Sequence, residues 1–113
     1  MTTYEDTLEA RMHELRSRAR EMADAAALRY NLDHARKSVV ALAMKSAEKH
    51  GATSGVAQER EAYASAEYQQ WLAGSTEAVR NHERLRLEWE VMRLRFEAWR
   101  TRQATRRAEM SLT

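Results

Sequence analysis

From Tyr68 to Trp99 the large side chains recur in alternating steps of three and four: Tyr68, Trp71, Ser75, Ala78, His82, Leu85, Trp89, Met92, Phe96 and Trp99. This is a heptad seam, with Tyr68, Ser75, His82, Trp89 and Phe96 at a positions and Trp71, Ala78, Leu85, Met92 and Trp99 at d positions of one long helix. A second apolar row, Leu87, Val91, Leu94 and Ala98, runs down the opposite side of the same helix. A helix with two apolar faces needs two sets of partners. A short chain supplies one of them, so the pattern predicts a homo-oligomer, with Trp71, Leu85, Trp89, Met92, Phe96 and Trp99 as the expected interface.

Upstream, Leu8, Met12, Leu15, Ala19, Met22 and Ala26 form a narrower seam. After Ala26 the apolar positions resume as Leu28, Leu32, Ala35, Val39 and Leu42, displaced by two residues. Such a slip means a stutter, a kink or a short break near Tyr30-Asn31-Leu32-Asp33, and a continuous or gently kinked helix to about His50 is the favoured form.

The helix limits follow from the capping chemistry. Thr2 or Thr3 caps a first helix over about residues 3–50, with Glu5, Asp6 and Glu9 at the end where the helix dipole favours acids. Lys45, Lys49 and His50 close it, and Gly51 suits the left-handed cap position. Thr53 or Ser54 restarts a short helix over about 54–63, and Ser65 caps a long helix over about 65–109, with Gly74 as a local weakness. At 1.5 Å per residue that last helix is roughly 65 Å long. The predicted fold is all-α: two long antiparallel helices joined by a short helical corner in a coiled-coil-like assembly, one helical domain over residues 1–113.

Composition agrees with this pattern and narrows the function. The chain has 113 residues, no proline, no cysteine and three glycines, so it has few helix breaks and no thiol chemistry. No apolar run approaches the roughly 20 residues that span a bilayer, and the acidic start lacks the basic and apolar regions of a signal peptide. A cytoplasmic protein without membrane contact is expected. His13, His34, His50 and His82 are the only histidines, and none stands in a paired ligand spacing. With no phosphate loop and no nucleophile motif either, neither catalysis nor a metal nor a cofactor is expected. His82, at an a position, is read as a polar residue that sets register.

Charge is the more informative feature. Between Arg93 and Arg107 six arginines (Arg93, Arg95, Arg100, Arg102, Arg106 and Arg107) stand against one acid, Glu97. A second cluster, Arg36, Lys37, Lys45 and Lys49, holds every lysine of the chain. Three readings of these clusters stay open: arginine stems covering and solubilising a seam, an acidic protein partner, or a nucleic-acid backbone whose counterions are released on binding. Tyr30 and Tyr63 lie off the main seams and are the better candidates for stacking on bases.

Three segments, RKSVVALAMKSAE at 36–48, REAYASAEYQQWLAG at 60–74 and RFEAWRTRQATRRAEM at 95–110, together resemble the small helical proteins of bacteriophage recombination modules, the UvsY-type recombination mediator family of T-even phages. The resemblance runs from Arg36 to Met110. It implies an oligomer that binds single-stranded DNA and helps load a recombinase onto DNA covered by a single-strand-binding protein, in the cytoplasm of the bacterial host. The family's basic segment at the end of the first long helix falls here on Arg36, Lys37, Lys45 and Lys49. Met44 and Ser46 interrupt its dense basic run, so either DNA binding is weaker or Arg102, Arg106 and Arg107 share the contact, with Arg60 on the corner completing the expected set. The alternative from another class is a helical scaffold or adaptor that binds other proteins.

Overall fold

The computed structural model describes residues 2–112 and contains three helices among them: α1 (Tyr4–Lys49), α2 (Gly55–Ala64) and α3 (Ala66–Ser111). The expected all-α fold is what forms, with two 46-residue helices joined through a 10-residue corner helix. No helix among the described residues is long and apolar enough to cross a membrane.

Each helix limit has a local cause. The Asp6 amide donates to Thr3 Oγ1 at 3.0 Å and the Thr3 amide to Asp6 Oδ2 at 3.2 Å, a reciprocal capping box that fixes the cap at Thr3 rather than Thr2. At the other end Gly51 takes φ +107°, its amide bonds Glu48 O at 3.2 Å and the Ala52 amide bonds Ala47 O at 3.0 Å. That pair of bonds is a Schellman stop, and the positive φ is why glycine stands there. Ser54 caps α2 by accepting from the Ala57 amide at 3.1 Å. Ser65 serves two helices at once: its hydroxyl donates to Ala62 O at 2.6 Å and accepts from the Tyr68 amide at 3.2 Å. One residue in extended conformation thus ends α2 and opens α3.

The contacts fall into two units. In the terminal unit, the part of α1 up to Asp24 packs antiparallel on α3 from Glu83 onward, with Tyr4 against Trp99 and Leu15 beside Met92 and Phe96. In the corner unit, residues 25–82 pair the rest of α1 with α2 and the first part of α3. Its buried residues are all alanine, namely Ala25, Ala43, Ala62 and Ala78. Small side chains let backbones approach closely, and Trp71 Nε1 accordingly reaches across to donate to the backbone oxygen of Leu32 at 2.8 Å.

No break forms near Asn31, in line with the favoured continuous helix. α1 is continuous, and its less exposed positions keep one heptad phase over most of its length: Leu8, Leu15, Met22, Arg29 and Ala43 on one set, interrupted at the exposed Arg36, and Arg11, Arg18, Ala25, Leu32 and Val39 on the other. Leu28 and Leu42, expected in a displaced seam, are instead 52% and 68% exposed. Arginines hold the seam positions that looked polar in sequence. Their aliphatic stems line the interface while their heads find partners at its edge, as Arg29 does by donating to Nδ1 of His82 at 3.1 Å. Because a guanidinium only donates, that bond makes His82 Nδ1 the acceptor, and the polar seam histidine has its partner inside the chain.

α3 also runs unbroken through Gly74, which is exposed and helical, and a methyl group there would meet nothing within 4 Å. Gly74→Ala is therefore expected to stabilise the fold by about 0.5–1 kcal/mol through reduced freedom of the unfolded chain. A urea titration followed by circular dichroism measures this, and a loss of stability would show that α3 needs to bend there.

Candidate nucleic-acid interface

α1 and α3 form because their seams interlock, and that packing decides which cations remain outside. Arg36, Lys37, Lys45, Lys49 and Arg60 are all exposed and all belong to the corner unit. Lys45 and Lys49 are one helical turn apart and Lys37 lies two turns before Lys45, so the three lysines follow one slanted row along α1. None of them has a carboxylate within 4 Å among the described residues, although Glu48 sits within one turn of Lys45. Arg36 is different. A hydrogen bond to the Tyr68 side chain, followed by the charges of Tyr63 and Tyr68, holds its pKa above the ordinary arginine value. Tyr63 and Tyr68 themselves meet edge-on at 4.9 Å between ring centroids.

Arg102, Arg106 and Arg107 lie in the terminal unit. All three are exposed, but Arg107 is committed: its Cζ stands 4.9 Å from the centroid of the Tyr4 ring. Tyr4 in turn stacks on Trp99 at 5.4 Å with 9° between the planes, and the guanidinium of Arg11 covers the Trp99 ring at 4.7 Å. The four groups make a continuous cation–aromatic–aromatic–cation stack. The Arg93–Arg107 cluster is also less uniform than its sequence suggests. Arg93 bonds both Glu90 at 3.1 Å and Glu97 at 2.8 Å, which raises its pKa, with Glu90 as the larger cause. Arg95 and Arg102 have no such partner among the described residues.

The residues expected to meet a second copy are taken up within the chain. Leu85 and Trp99 are 8% and 7% exposed, Trp71 bonds α1, and Met92 and Phe96 border a cleft with Arg11 and Leu15. The Nε1 of Trp89 is shielded from solvent without a hydrogen-bond partner. One surface that remains apolar and open is the other face of α3, where Leu87, Val91 and Leu94 are 57%, 47% and 57% exposed. Tyr30, the other stacking candidate, is 61% exposed but already lies on the His34 ring at 3.8 Å.

Sequence reasoning missed the seam arginines, Arg11, Arg18 and Arg29. The signal available was their spacing, since Arg11, Arg18 and Ala25 repeat every seventh residue. No protein-family model, curated protein or solved structure matches the chain.

Proposed function

We propose that this protein is a non-catalytic, oligomeric single-stranded-DNA-binding protein that acts as an accessory in recombination, presenting or stabilising DNA for a recombinase. The observation that carries the proposal is the lysine row. Arg18, Arg80, Arg84, Arg86 and Arg93 each have a carboxylate within 4 Å, whereas Lys37, Lys45 and Lys49 stand unmatched on one exposed face. Matched surface pairs neutralise one another, but an unmatched row repels itself until an anion with repeating charge lies along it. The resemblance of residues 36–110 to the UvsY-type mediators supports the same reading.

The role of each group follows from its placement. Lys37, Lys45 and Lys49 contact successive phosphates, and Arg36 with Arg60 extends the contact to the corner, where Tyr63 offers a ring for a base. Arg106 supplies a second, minor contact. Such contacts carry no base information, so binding is indifferent to sequence. No bond is made or broken.

The second reading, a helical scaffold or adaptor, is favoured by the open apolar face of α3, which DNA binding does not use. Fluorescence anisotropy of a labelled single-stranded oligonucleotide, titrated at low and at moderate salt, separates the two. The expected result is binding at low salt that weakens steeply with added salt. Binding that is insensitive to salt, or no binding even at low salt, leaves the adaptor reading in front.

A further inference from the structure

The open face of α3 has a heptad pattern of its own. Leu87, Leu94 and Thr101 occupy d positions and Val91, Ala98 and Thr105 occupy a positions, all of them exposed. The two threonine hydroxyls are already spent on the preceding turn, Thr101 on Glu97 O and Thr105 on Thr101 O, each at 3.0 Å. What they offer a neighbour is therefore chiefly a methyl group. The row ends upstream where Arg80 and Arg84 take the corresponding positions.

The flanks of this row are charged in opposite senses. On one side lie Glu90 and Glu97, two carboxylates that share the single guanidinium of Arg93 and so keep an excess of negative charge. On the other side lie Arg95 and Arg102, exposed and without a carboxylate within 4 Å among the described residues. In heptad terms these are g and e positions. In a parallel pair the g position of one helix faces the e position of the next heptad on the other helix. Glu90 then meets Arg95 of the second copy and Glu97 meets its Arg102, with both contacts made twice by symmetry. An antiparallel pair instead sets e against e and g against g, bringing arginine to arginine and glutamate to glutamate. The first heptad is neutral in this choice, because Glu83 is matched by Arg86 and Glu88 by Arg84 inside the chain. Valine at a with leucine at d also favours two parallel strands.

We infer that a second copy of this chain docks on Leu87, Val91, Leu94 and Ala98 in parallel, in-register orientation, held by Glu90–Arg95 and Glu97–Arg102 pairs between the copies. The inference deepens the oligomeric part of the proposed function. Its test contains no DNA, so failure of one is seen separately from failure of the other. The interface engages Arg102, which leaves the lysine row of α1 as the main free basic surface.

Light scattering on the eluting full chain gives the mass. The wild type is expected at twice its 13.1 kDa, and Leu94→Glu at 13.1 kDa with an unchanged far-UV spectrum. The double variant Arg95→Glu/Arg102→Glu leaves the apolar row intact and is likewise expected to halve the mass. Orientation is read from single cysteines, which are unique because the chain has none. Leu87→Cys and Ala98→Cys are each expected to form self-linked dimers on mild oxidation. A wild type of single-chain mass, a mass that Leu94→Glu leaves unchanged, or cross-links only in the mixture of the two cysteine variants would overturn the inference.

Discussion

Trp99→Ala is expected to cost about 3–5 kcal/mol, the range for truncating a large aromatic in a packed seam. Trp99 is 7% exposed and has the Tyr4 ring stacked on it at 5.4 Å and the Arg11 guanidinium over it at 4.7 Å, with Phe96 at 6.0 Å. Removing the indole leaves a void between helices that pack over one layer only, and it strips Tyr4 of the surface that holds the start of α1. Arg11 loses as well. Its Nε is shielded from solvent and has no hydrogen-bond partner, so the ring is its main electrostatic compensation. A urea titration of the variant, read by circular dichroism, measures the loss. Trp99→Phe keeps a ring in the stack and is expected to lose less than half as much. A cost below about 1 kcal/mol for the alanine variant would mean that the stack contributes little and that the terminal unit is held elsewhere.

The second large effect concerns binding. Lys37→Ala/Lys45→Ala/Lys49→Ala removes three unmatched cations, and the slope of log affinity against log salt for single-stranded DNA is expected to fall by about 2, from a loss of ~0.7 per phosphate contact. Stability should stay nearly constant, because all three side chains are exposed and none has an ion-pair partner among the described residues. The comparison variant is Arg106→Ala, which spares the Arg107–Tyr4 stack and Arg102, and it is expected to lower the slope by ~0.7. An unchanged slope in the lysine variant would move the DNA contact off α1. Binding unchanged in both variants would remove the basic surfaces from the proposed function altogether.

These two predictions rest on different kinds of knowledge. The seam of α3 was legible as a pattern, because leucine and tryptophan every three or four residues admit little besides a helix with one covered side. The caps were legible too: Thr3, Ser54, Ser65 and Gly51 act through their own side chains or their own φ, so their effect is local and needs no knowledge of the fold. What covers the seam was not legible. Periodicity states that Leu85, Trp89 and Trp99 need a partner helix but does not say whose helix it is, and here α1 of the same chain supplies it.

The phase of α1 failed for a related reason. Hydrophobic periodicity counts arginine as polar, yet Arg11 and Arg29 sit in the seam because a Trp99 ring and a His82 nitrogen lie across from them. A long side chain can bury its stem and still bring its charge to a partner, and the partner comes from a distant part of the chain. The same limit applies to the basic clusters. Counting charges puts Arg93, Arg95 and Arg107 in one patch, whereas helical spacing alone already pairs Arg93 with Glu90 and Glu97, and only packing gives Arg107 to Tyr4 while Arg95 stays open. The sequence by itself determined that this protein is helical, where its helices start and stop, and that α3 has two apolar sides, since these depend on neighbours within one or two turns. The tertiary structure alone decided which of those sides is covered within the chain and how Arg11, Arg29 and Arg107 are engaged, because each depends on side chains brought together from distant parts of the sequence.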